Sequence, residues 1–208
     1  MKEIEIKVLL VKYFLENYND CTLGAEVPFQ FGERRADMVI YESNLLSAFE
    51  IKGSKDTTSR LDYQIESYKK FFDCCYIVCE RSNLSEIRKS TPRDVGILIA
   101  EDGELKKIRK SKQFKKHDKL ILSSTISTLK LKKITGKNKL RSKSELCEHL
   151  KKTKTLDEIR KLSRDDFEER YGVVSRLLKQ ETTLNINSDD IHTITKRPPS
   201  SLIKRSIS

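Results

Sequence analysis

Between residues 34 and 52 the chain places two short alternating runs on either side of a polar turn, and this stretch constrains its fold more than any other. Residues 34–41 put Ala36, Met38 and Ile40 on one side and Asp37 and Val39 on the other, the period of a half-buried strand. After the turn at 42–44, residues 45–52 set Ala48, Glu50 and Lys52 on one face and Ser47, Phe49 and Ile51 on the opposite one. A hairpin of the two strands brings Asp37 close to Glu50, with Lys52 one step further along the same face. Two carboxylates and an ammonium are costly to bury together, so the pattern calls for a divalent cation.

Spacing alone is weak in a chain that is 35% charged, and a second Glu-Ile-Lys at residues 5–7 reads as one face of a helix. The setting strengthens the first copy. A helix is expected over residues 57–72, with Leu61, Ile65, Tyr68 and Phe72 as its buried stripe and Asp56 at its N-cap. Arg60 and Gln64, one turn apart, share a face of it.

Gly32, Arg35 and Asp37, followed by Glu50, Ile51, Lys52, Asp56, Arg60, Leu61, Gln64 and Tyr68, resemble the PD-(D/E)XK nuclease superfamily. The similarity is greatest to a bacterial subfamily with the signature G-x-x-R-x-D … E-I-K-x-x-x-D-x-x-x-R-L-x-x-Q. Ala36 stands where that superfamily usually has Pro. The resemblance implies an α/β fold, a restriction-endonuclease-like αβββαβ core with a mixed sheet. It also implies Mg²⁺ (or Mn²⁺) held by Asp37, Glu50 and the Ile51 carbonyl, with Lys52, Arg60 and Gln64 as further catalytic groups. Glu3 or Glu5 of the first helix would be an auxiliary acid, though favourable placement at a helix N-terminus explains them as well. Glu26 is a further candidate. The function implied is metal-dependent hydrolysis of phosphodiester bonds in nucleic acid, in repair, restriction or phage-related defence. The alternative is an inactive protein of the same fold that binds nucleic acid.

Charge is unevenly spread. The net +11 divides into −5 over residues 1–105 and +16 over 106–208, so a polyanionic partner, nucleic acid and DNA first, is expected at the second half. The domain reading is a nuclease-like domain at 1–110, a small basic helical module at 111–180 and a flexible tail at 181–208. Ser142 with Glu145, Thr155 with Glu158 and Ser163 with Asp166 each mark a helix start, and residues 120–134 read as one amphipathic helix. Leu129, Gly136, Lys137, Lys143, Leu146 and Leu150 loosely resemble a SAP-type DNA-binding helix-loop-helix. Lys137, Lys139, Arg141, Lys143, Lys151 and Lys152 are its expected phosphate contacts.

The first helix is expected over residues 3–16 with Ile4, Val8, Leu9, Tyr13 and Leu15 as its stripe, and a first strand over 21–31. Three of the five cysteines fall in or beside the apolar run at residues 74–79, without a CxxC pair or a nearby histidine. They are read as reduced packing residues, not zinc ligands. The charged start and the lack of any membrane-length run place the protein in the cytoplasm, with no membrane partner and room for a homodimer.

Overall fold

A computed structural model of the chain describes residues 1–53, 56, 59–136, 140, 142–181 and 186–195. Its centre is a six-stranded mixed sheet in the order β1-β2-β3-β4-β5-β6. The strands are β1 (Thr22–Phe29), β2 (Arg34–Glu42), β3 (Leu45–Lys52), β4 (Cys74–Glu80), β5 (Gly96–Glu101) and β6 (Glu104–Arg109). The first three pair antiparallel, β3-β4-β5 run parallel, and β6 returns antiparallel through the Asp102-Gly103 turn. Parallel pairs need crossovers. These are α2 (Leu61–Lys69) between β3 and β4, and α3 (Leu84–Ser90) between β4 and β5.

The sheet is covered on both faces. On one side α1 (Glu3–Asn17) packs over Met38, Ile40, Phe49, Ile51, Tyr76 and Leu98. The apolar stripe it buries is Ile6, Leu10, Val11 and Phe14, not the expected Ile4, Val8, Leu9, Tyr13 and Leu15, which are half-buried. Apolar residues ring most of this helix, so periodicity alone does not select the face the sheet takes.

The other face buries Leu61, Ile65 and Tyr68 of α2, as the sequence leads one to expect, against Ala48, Cys75 and Ile77. The helix starts at Leu61, later than residue 57. Asp56 does not cap it; its Oδ2 accepts the Gly53 amide at 2.8 Å. All five cysteines are free, and Cys74, Cys75 and Cys79 are buried in β4.

Beyond β6 lie α4 (Lys119–Thr125), α5 (Thr128–Thr135), α6 (Lys143–Thr153), α7 (Leu156–Glu181) and α8 (Ser188–Ile194). The single helix expected over 120–134 is two, because Ser127 accepts the Lys130 amide and starts a new one. Starts at Ser142 and Thr155 are present with reciprocal bonds to Glu145 and Glu158. Ser163 is not a start. It lies inside α7, its hydroxyl 2.9 Å from that of Thr125, while Asp166 accepts the Ser127 amide and the Arg170 guanidinium.

These helices continue the core of the sheet. Leu122, Ile126, Leu146, Phe167 and Tyr171 belong to the same apolar cluster as Val27, Leu61 and Phe72. Ser175 of α7 exchanges bonds with both backbone groups of Leu23, covering the edge strand β1. At the centre of this junction Asp73, fully buried, accepts the Leu46 amide and two Arg164 N–H groups. Arg160 Nη2 lies 2.8 Å from its other oxygen, an ion pair off the hydrogen-bond axis.

Of the stretch expected as a tail, residues 186–195 are described and contain a helix, and residues 182–185 and 196–208 lie outside the described residues. Asn187 and Asp190 form a capping box, and α8 buries Ile191 and Ile194 before an isolated bridge from Thr195 to Ala25. No helix among the described residues is long and apolar enough to cross a membrane.

Candidate metal and phosphate pocket

The pocket forms where β3 runs out beneath α2. Glu50, on the face that β3 turns toward α2, is 5% exposed and lies between Asp37 and Lys52. Gln64 reaches down from the helix: its Nε2 donates to Glu50 Oε1 at 2.6 Å, and its Oε1 accepts from Lys52 Nζ at 3.0 Å. Lys52 Nζ also donates to Glu50 Oε1 at 2.9 Å. The Tyr68 hydroxyl makes a short contact with Glu50 Oε2. The carboxylate is therefore held on both oxygens.

Asp37 comes from the neighbouring strand. Extending the register from Met38↔Phe49 sets it opposite Glu50, and its Oδ2 accepts the Ile51 amide at 2.7 Å. Burial, and next the charge of Glu50, push its carboxyl from the usual 3.8 up to about 8, against the lowering effect of the Ile51 bond. An acid with that environment is short of positive charge.

Glu3 and Glu26 complete an acidic group. Together with Asp37 they offer oxygens within 4.8 Å of one another. Glu26 gets there through a left-handed backbone, φ 52°. Lys7 stands in the middle, with Nζ 2.6 Å from Glu3 and 2.5 Å from Glu26. That ammonium already neutralises the Glu3–Glu26 side, so the uncompensated charge is at Asp37 beside Glu50. Lys7 was not singled out in the sequence, although its i,i+4 relation to Glu3 was visible there.

The cavity, about 420 Å³, is lined by Glu3, Asp37, Glu50, Ile51, Lys52 and Asp56, with Ser59, Arg60 and Gln64 on the helix side. Of the residues expected at the site, Glu5 alone lies elsewhere: its carboxylate accepts the Lys2 amide at the start of α1. The donor set, the buried Glu50 carboxylate and the half-buried Asp37 carboxylate with Ile51 also lining the cavity, is of the hard oxygen kind that suits Mg²⁺ or Mn²⁺.

Among the described residues, the expected phosphate contacts Lys143, Lys151 and Lys152 do not share one face. Lys137, Lys139 and Arg141 lie outside the described residues. Lys143 is half-buried near Cys147, and its ammonium is lowered by that burial. Lys151 and Lys152 are exposed. Nine residues on a helix turn about 180°, so Lys143 and Lys152 point apart. In the SAP-like pattern Gly136 is the left-handed C-cap and Leu146 and Leu150 are buried, but Leu129 is 83% exposed and Leu131 takes the core position.

Fold and pocket together define an α/β protein with a six-stranded mixed sheet and an acidic, lysine-containing cleft at the end of its middle strand. The chain belongs to the Bacteriophage P4 protein cII family, whose profile matches residues 1–195. It is 27% identical to protein cII of Enterobacteria phage P4 over 218 residues, 98% of this chain and 82% of that protein. A solved structure, SPO1766, a protein of unknown function from Silicibacter pomeroyi, shares the fold at a TM-score of 0.50 and 12% identity, covering 88% of this chain and 93% of that one.

This membership overturns the resemblance to PD-(D/E)XK nucleases, and with it the nuclease function and its inactive nucleic-acid-binding alternative. The signature residues are common ones in a chain that is 35% charged. The structure supplies a local reason for five of them: Gln64 and Lys52 hold Glu50, the Tyr68 hydroxyl contacts it, and Asp56 closes a turn on Gly53.

Proposed function

We propose that the cleft binds a divalent cation, Mg²⁺ or Mn²⁺, through Asp37 and Glu50 with the Ile51 carbonyl, and uses it to hold a phosphate-bearing ligand. The observation that carries this reading is the half-buried Asp37 carboxylate set opposite Glu50 in the same cavity, with one N–H partner, and raised to about 8 by desolvation and Glu50. A bound cation relieves both effects. Lys52 and Arg60 line the same cavity and supply positive charge for a phosphate. When bound, the ion supplies a water of lowered pKa, which makes a metal-dependent enzyme the class in which we place the protein.

Gln64 and Tyr68 fix the Glu50 carboxylate, and the Ile51 amide fixes that of Asp37. The chain therefore presents its ligand atoms before any ion arrives. In this reading the αβββαβ portion carries the pocket. The more basic second half, net +16, favours a polyanionic partner, nucleic acid.

Titration with Mn²⁺, followed by electron paramagnetic resonance, tests the metal site. Saturable binding is expected, abolished in Asp37→Asn and Glu50→Gln, and wild-type binding by both variants would contradict it. Fluorescent DNA and RNA oligonucleotides, with and without Mg²⁺, test the partner. No retention of any of them at low salt would refute that part.

A further inference from the structure

The opposite face of the sheet holds a second cavity, separate from the acidic cleft. The α1 helix ends before it has covered the starts of β3 and β4, and about 240 Å³ is left between its last turn and β6. Phe49 and Tyr76, both nearly buried, line it as a stacked pair with centroids 4.9 Å apart and rings 7° from parallel. Tyr13 and Tyr18 form a wall, and Lys107 and Lys110 stand exposed at the rim.

Two features mark this as a built space. Tyr76 lies across Gly96 so closely that a Cβ there would meet its ring at 2.1 Å, so the ring's place depends on a residue without a side chain. The charge at the rim is net positive, since Glu42 is the only acidic residue of the lining. The Tyr18 and Tyr76 phenols, raised further by burial, are O–H groups at neutral pH as any tyrosine is.

We infer that this cavity binds a small aromatic anion, one ring with one carboxylate or phosphate, the ring among Phe49, Tyr76 and Tyr13 and the anion at Lys107 and Lys110. Its volume is below the roughly 300–1,000 Å³ usual for drug-sized ligands, which favours a single ring. Aromatic walls prefer a flat π-system to an aliphatic one of equal size. An ammonium pair selects the anion over the neutral analogue.

The test uses the full chain and 4-hydroxybenzoate as the probe, with phenol and cyclohexanecarboxylate as the neutral and non-aromatic counterparts. Amide chemical shifts are followed through each titration. Saturable shifts at β3, β4 and β6 are expected with 4-hydroxybenzoate, and binding about tenfold or more weaker with either counterpart. Lys107→Gln and Lys110→Gln, both at exposed positions and each checked for an unchanged thermal midpoint because Lys107 lies against the Tyr13 ring, should each weaken the probe about tenfold, the loss of one charged hydrogen bond. Absence of saturation, equal binding of cyclohexanecarboxylate, or indifference to both lysine substitutions would each overturn the inference.

Discussion

Asp37 Oδ2 accepts the backbone N–H of Ile51 at 2.7 Å, one strand away. That bond locks a half-buried acid beside Glu50 without supplying a positive charge, and the pH behaviour of the protein follows from it. In the folded chain the Asp37 carboxyl is raised from 3.8 to about 8 by burial first and Glu50 second. Between those values the folded state holds a proton that the unfolded state has released. Stability of the metal-free protein therefore falls as pH rises from about 4 to 8, because the folded state binds more protons there. Thermal unfolding over that range should show a declining midpoint, flattened in Asp37→Asn. A midpoint independent of pH in both proteins would contradict this.

Gln64 bridges Lys52 and Glu50 with its two amide ends. Gln64→Ala should weaken Mn²⁺ binding by roughly 10–100-fold, as expected when a group that orients a metal ligand is lost. Gln64→Glu places a third carboxylate against Glu50 and should cost stability as well. Calorimetric titration together with thermal unfolding separates the two effects.

Asp73 is the acidic centre of the junction between the sheet and α7, and Arg164 beside it is fully buried. Asp73→Ala leaves that guanidinium without its anion, a loss of about 3–5 kcal/mol by the behaviour of broken buried pairs. Replacing both, Asp73→Ala with Arg164→Met, should recover part of it. Urea denaturation of the single and double variants gives the comparison; a double variant no more stable than the single would argue against the charge explanation.

A fragment ending at residue 110 loses the partners of Val27, Phe29 and Phe72, since Leu122, Ile126, Phe167 and Tyr171 fill the same core. We expect it to lack a cooperative unfolding transition. A sharp transition in the fragment would show that the sheet and its first three helices stand alone.

The hairpin of β2 and β3 was legible in the sequence because a period of two leaves no choice of face once Phe49 and Ile51 are taken as buried. The same holds for Gln64, one turn from Arg60. The buried side of α1 was not legible, because Ile4, Ile6, Val8, Leu9, Leu10 and Val11 put apolar groups nearly all around it. Ser163 and Asp166 mimic a helix start, yet their partners, Thr125 and Ser127, are distant in sequence and make them a contact between helices. The short α8 rests on Ile191 and Ile194 finding a cover in α1 and β1, which no local pattern announces. The likeness to another superfamily has a related cause: Glu50, Lys52 and Gln64 at these spacings satisfy one another in a local network, and that network is not peculiar to one superfamily.

The central claim, that a divalent cation replaces a proton at Asp37, is tested most directly by proton release on Mn²⁺ binding. Titrations near pH 7 in two buffers of different ionisation enthalpy give the number of protons set free. With the carboxyl raised to about 8, close to one proton should be released per ion by the wild type, and Asp37→Asn should bind little Mn²⁺. Wild-type binding without proton release, or undiminished binding by Asp37→Asn, would contradict it.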